Sequence, residues 1–132
     1  MDYPTAGCSR RSVLGVLMVM GLVVVCLIGS ALVTDTLCQQ GFARRLPIYP
    51  GAEVKWERHN FLSAFGMGET VLVLTTPDNA ETVREWYTTA TATAIRGSVD
   101  DVPMRLTRGE WTVDAEDDGS GTQIILHGVC VN

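Results

Sequence analysis

The amino-acid sequence predicts an α+β membrane protein: an N-terminal transmembrane helix, then a small antiparallel sheet in the order β-β-α-β-β-β with one amphipathic helix on one face. Three observations carry this. Val13–Val33 is a run of 21 positions without a charge. Beyond it, short β-branched stretches alternate apolar and polar residues, the period of half-buried strands. Among them a single segment repeats apolar residues at helical spacing behind a capping sequence.

Thirteen of those 21 residues are Val, Leu or Ile. As a helix the run is roughly 31 Å long, which matches the hydrocarbon core of a bilayer. A soluble chain of 132 residues has too little protein to wrap such a helix on every side. Arg10 and Arg11 stand directly before it, as in a signal anchor whose tail, residues 1–12, stays in the cytoplasm. Arg44 and Arg45 follow at the other end, so orientation also rests on the shortness of the tail and on the cysteines. Cleavage near Ala31 is the alternative, because Gly29-Ser30-Ala31 offers small residues, although the apolar run is longer than a usual signal sequence. Ser9-Arg10-Arg11-Ser12 also resembles a twin-arginine export signal. Val25 before Cys26 argues against a lipoprotein. The division is therefore a tail over 1–12, an anchor over 13–33, a spacer over 34–46 and an extracytoplasmic domain over 47–132.

From Thr34 onward there are 14 acidic and eight basic residues, a net charge of −6. Phosphate backbones and anionic lipid headgroups would repel such a surface, so nucleic acid is not expected as a partner; the expected partners are the membrane, through Val13–Val33, and an envelope protein. Cys38 and Cys130 bracket the external region, while Cys8 lies in the tail and Cys26 in the apolar run. A Cys38–Cys130 disulfide would close a loop of about 90 residues and contribute about 4–5 kcal/mol on chain-entropy grounds. Two unpaired thiols near the ends are the alternative.

Within the domain, Pro47 and Pro50 deny the chain a helix. Ala52–Arg58 alternates, with Ala52, Val54 and Trp56 predicted on one face and Glu53, Lys55 and Glu57 on the other. Asn60–Gly68 reads as a glycine-bearing loop. Thr70–Thr75 is apolar on both faces, as a central strand should be. Asp78 and Glu81 suit a helix cap, and Val83, Trp86, Tyr87, Ala90 and Ala94 mark one helix face that Gly97 ends. Two hairpins follow: Met104–Thr107 with Trp111–Ala115 across Arg108-Gly109, then Trp111–Ala115 with Thr122–Val131 across Glu116–Ser120. Trp56, Trp86, Tyr87 and Trp111 are predicted to fill the core.

Tyr49-Pro50-Gly51-Ala52 opening a strand, Thr76-Pro77-Asp78 capping a helix, and Val83 with Trp86-Tyr87 on that helix are short motifs shared with a known group. Between Leu46 and Val129 the chain resembles a set of uncharacterised bacterial membrane-anchored or lipoprotein domains. Many of these have a Gly-Trp pair after the helix, where Ala94-Ile95-Arg96-Gly97 stands here. The resemblance implies a fold and carries no activity.

Four features are candidates for chemistry. Asp114, Glu116 and Asp118, followed by Gly119, imitate the first half of a calcium loop. The twelfth position is Ile125 instead of a bidentate Glu, so an acidic hairpin turn is preferred. His59 and His127 lack the ligand spacing of a zinc site, and no cofactor is implied. Phe61, Leu62, Phe65 and Met67 crowd the Asn60–Gly68 loop. They either contact a partner or membrane or, as preferred, fold back over open sheet. The sequence thus points to a non-catalytic binding or structural module of the cell envelope, with Phe61, Leu62, Phe65 and Met67 as its binding candidates should the loop face a partner. The alternative is a small hydrolase or metal-dependent enzyme using His59, His127 or the Asp114–Asp118 turn, a class that fails if both histidines are isolated on the surface.

Overall fold

The structure, a computed structural model, describes residues 10–63, 66–97, 101–116 and 119–130, with side chains over 13–62, 67–97, 101–116 and 119–130. The chain divides into two units, Met1–Val33 and Thr34–Asn132.

Helix α1 runs from Arg10 to Arg45. Its part within the first unit presents apolar side chains to the outside on all sides, from Val13 to Val33. By length and composition α1 can cross a membrane, a property that anchors and signal sequences share.

The second unit opens with the rest of α1. The reading of 34–46 as an irregular spacer is corrected here, because the helix continues to Arg45. Cys38, Gly41, Phe42 and Leu46 are all buried, and their spacing places them on one helix face.

Among the described residues the sheet has four strands, where five were expected: β1 (Glu53–Ser63), β2 (Gly66–Thr76), β3 (Thr107–Ala115) and β4 (Thr122–Cys130), antiparallel in the order β1-β2-β4-β3. Helix α2 (Ala80–Gly97) follows β2, and a one-turn helix α3 (Val102–Arg105) precedes β3. The expected strand at Met104–Thr107 is therefore a correction, as is the hairpin across Arg108-Gly109. Asp101 caps α3 by accepting the Met104 N–H at 3.3 Å, and Pro103 sits in the first turn, where its fixed φ suits a helix start. β3 then runs unbroken through Gly109. The second hairpin is present: Ala115 pairs with Thr122, and Gly119 takes the positive φ of 70° that its turn demands. The α2 cap is also displaced by one residue. Asn79 accepts the Thr82 N–H at 2.9 Å, whereas Asp78 accepts the Tyr49 hydroxyl at 2.7 Å.

One face of the sheet is the core. Leu72 and Leu74 on β2, Ile124 and Leu126 on β4, and Val113 on β3 are buried there with Val83 and Tyr87 of α2. Tyr87 stacks on Trp111 at 5.5 Å between ring centroids and meets Trp86 edge-on at 4.8 Å. The last turns of α1 reach this face through a pair of glycines. Gly109 and Gly128 are cross-strand neighbours, and a Cβ on either would strike Leu46 or Phe42. Those two helix residues fill the space the glycines leave. Nearby, Cys38 and Cys130 form a disulfide with their Cα atoms 5.7 Å apart, linking α1 to the final residue of β4. At the N-terminal end of α3, Arg44 lies 2.7 Å from Asp101 and holds its carboxyl below the usual range.

Candidate functional site

The edge strand β1 departs from the alternation its sequence suggests. Val54 pairs with Leu74, but Trp56 pairs with Val73 and Glu57 with Leu72, so Lys55 is an inserted residue in a β-bulge. A single-residue slip exchanges the faces of everything beyond it. Trp56, expected in the core, is turned to the outer face and is 48% exposed. Glu57 and His59 are turned inward, opposite Leu72 and Thr70.

This slip furnishes the polar end of a groove. α2 packs against β3 and β4, while β1 has its main contacts with β2 alone. Between β1 and the end of α1 remains an open groove of about 530 Å³. Phe42, Ala43, Leu46, Pro47 and Ile48 form one side, and Val54 and Leu72 face them. Gln39, Glu57, His59 and Thr70 make up the polar part of the lining. Concave, mostly apolar surfaces with a few convergent polar groups are the usual form of ligand sites.

His59 is the most connected of these groups. Its Nδ1 lies 2.9 Å from the Thr70 hydroxyl. Its Nε2 lies 3.3 Å from Asp35 Oδ1 and 3.1 Å from the Gln39 side-chain nitrogen. The Asp35 Oδ1 atom is buried and makes no hydrogen bond. The consistent neutral arrangement has Nδ1–H donating to Thr70 and Nε2 accepting from Gln39. Thr70 itself is only 6% exposed, so little of it reaches the groove surface.

His127 lies on the opposite face of the sheet, pairing with Val71 and Glu110. Its Nε2 is 3.2 Å from Glu69 and its Nδ1 3.2 Å from Glu110. Both histidines therefore have carboxylate neighbours, yet the sheet separates them and they share no site.

The remaining sequence candidates are scattered. The Asn60–Gly68 loop is corrected to a hairpin, with β1 continuing to Ser63 and β2 beginning at Gly66. Phe61, Leu62 and Met67 are strand residues that do not fold back over the sheet. Leu62 pairs with Met67 and is 74% exposed, and the Phe65 side chain is outside the described residues. In the acidic turn, Asp114 is exposed at the end of β3, Glu116 accepts the Ser120 hydroxyl at 2.6 Å, and Asp118 is outside the described residues. Among the described residues no three His, Cys, Asp or Glu side chains converge as a metal site.

Two tyrosine hydroxyls of the core are perturbed. Tyr49 is raised by its hydrogen bond to Asp78. Burial pushes Tyr87 up to about 12, and its hydroxyl makes no hydrogen bond.

No family model, curated protein or solved structure matches the chain.

Proposed function

We propose that the chain is a membrane-tethered, non-catalytic binding module of the cell envelope, with its C-terminal unit outside the cytoplasm and its ligand taken in the groove between β1 and the end of α1. The observation that carries the reading is the groove itself, apolar along both walls and polar at Glu57 and His59. The Cys38–Cys130 disulfide fits an oxidising compartment, and the apolar part of α1 fits an uncleaved anchor. The resemblance to membrane-anchored envelope domains is of the same kind. A photo-crosslinking side chain at Ile48, in the full chain in native membranes, should give a discrete adduct that Ala43→Trp eliminates by filling the groove. Equal adduct formation from Glu85, on an exposed part of α2, would contradict the proposal.

A small hydrolase is the second reading, favoured by one observation: His59 lies within reach of both Asp35 and Thr70. It requires turnover of an ester probe that His59→Gln abolishes. Unchanged turnover in that variant removes it.

A further inference from the structure

We infer that the ligand of this groove is an extended peptide segment that adds to the free edge of β1, with an apolar side chain toward Val54 and a lysine or arginine two residues along toward Glu57. The inference rests on the groove being the binding site, and goes beyond that reading by naming the ligand.

The backbone supplies the first argument. β1 lies at the edge of the sheet, bonded to β2 on one side only. Over its 11 residues the other side presents amide and carbonyl groups with no partner strand among the described residues. An unpaired edge of that length is a template for an added strand. Outside the bulge it is not blunted by proline.

The spacing of the inner row supplies the second. Val54 and Glu57 are three residues apart in sequence, but the bulge sets them opposite Leu74 and Leu72, which are two apart. His59 follows opposite Thr70. Val54, Glu57 and His59 therefore recur at the period of one strand face, about 6.8 Å, and match residues i, i+2 and i+4 of an incoming segment. Those inward side chains would enter the groove, the first beside Ile48 and Val54, the second beside Glu57.

Charge decides the second side chain. No Lys or Arg lines the groove. Lys55 is held by Glu53 at 3.3 Å, and Arg58 lies on the outer face beside Asn60. Glu57 has no ion-pair partner among the described residues. With Asp35 behind His59, the polar end of the groove is anionic and complements a cation. A free acyl chain would leave both this carboxylate and the strand edge unanswered. A second copy of β1 would bring a further Glu57 to the same row.

The test uses the full chain in nanodiscs of zwitterionic phosphatidylcholine. The probe is a fluorescein-labelled, blocked nine-residue peptide in which threonine alternates with valine, valine, lysine and glutamine, read by anisotropy. Saturable binding below about 1 mM is expected. N-methylation of one alternate set of amides should weaken it at least about tenfold, and methylation of the other set should leave it unchanged, because only one set faces β1. Glu57→Lys should cost about fivefold and restore binding to the peptide with glutamate in place of lysine. Equal binding of both methylated peptides would overturn strand addition while leaving the groove intact. A labelled fatty acid that binds the groove without displacement by the peptide would do the same, as would a β1-mediated dimer. Peptide binding that survives Ala43→Trp would instead remove the groove. No saturable binding overturns the peptide assignment.

Discussion

The two halves of the sheet's inner face begin from the same alternation and end as different surfaces. Over β3 and β4, α2 lays Val83 and Tyr87 against Val113, Ile124 and Leu126, and four of these five side chains are fully inaccessible. Over β1 and β2, Leu72 and Leu74 are also buried, but Val54 beside them is 49% exposed. Two local features produce the difference. The Gly109–Gly128 pair lets Phe42 and Leu46 sink over β3 and β4, so the end of α1 is spent on that side. The inserted Lys55 then turns Glu57 and His59 into the half left open. One half of the face is closed by α2, and the other is left open as a groove.

That contrast can be broken by substitution. The largest effect is expected from replacing Cys38 and Cys130 together by Ser. The bond closes a sequence separation of 92 residues, and its loss should cost about 4–5 kcal/mol on chain-entropy grounds. The check is the urea midpoint of the full chain, with and without reductant, and an unchanged midpoint would leave α1 needing no such tie. Leu126→Ala, at a wholly buried site, should cost about 2–5 kcal/mol. Ile48→Ala, half exposed in the groove, should stay within about 0.5 kcal/mol while weakening peptide binding. If the two cost the same, the halves are not distinct. Gly128→Ala should cost about 1–3 kcal/mol, because its methyl group meets the Phe42 ring.

The smallest effect concerns Tyr87. Its folded-state pKa is raised to about 12 from the ordinary 10, so the stability tied to its neutral hydroxyl is complete below pH 10 and is lost as pH rises through about 12. Tyr87→Phe should change stability by less than about 1 kcal/mol at neutral pH, since the hydroxyl makes no hydrogen bond. It should also reduce the fall in denaturation midpoint between pH 10 and 12. A steeper fall in the variant would contradict the burial of that group.

Much of the fold was legible because its period survived in the residues. Val83, Trp86 and Tyr87 announce α2, the apolar β2 lies inside the sheet, and the acidic hairpin turn stands where its glycine predicts. The bracketing cysteines were legible as a bond. What was missed has identifiable causes. Cys38, Gly41, Phe42 and Leu46 do carry a helical period, hidden because polar residues and Gly41 made the stretch resemble a linker. Gly109 reads as a turn residue, but serves close approach to Leu46. The groove was the least legible feature. It depends on a bulge that Val54-Lys55-Trp56 conceals behind regular alternation, so Trp56 was placed inside and Glu57 outside.

Amide hydrogen exchange along β1, in the full chain in nanodiscs, tests the central claim most directly. Without ligand, the Trp56–Ser63 amides that do not bond to β2 should exchange rapidly, while those of β4 are protected on both sides. With the alternating peptide bound, the fast set on β1 should slow and the β3 edge should not change. Protection appearing on β3, or no change on β1 at saturating peptide, would contradict the account.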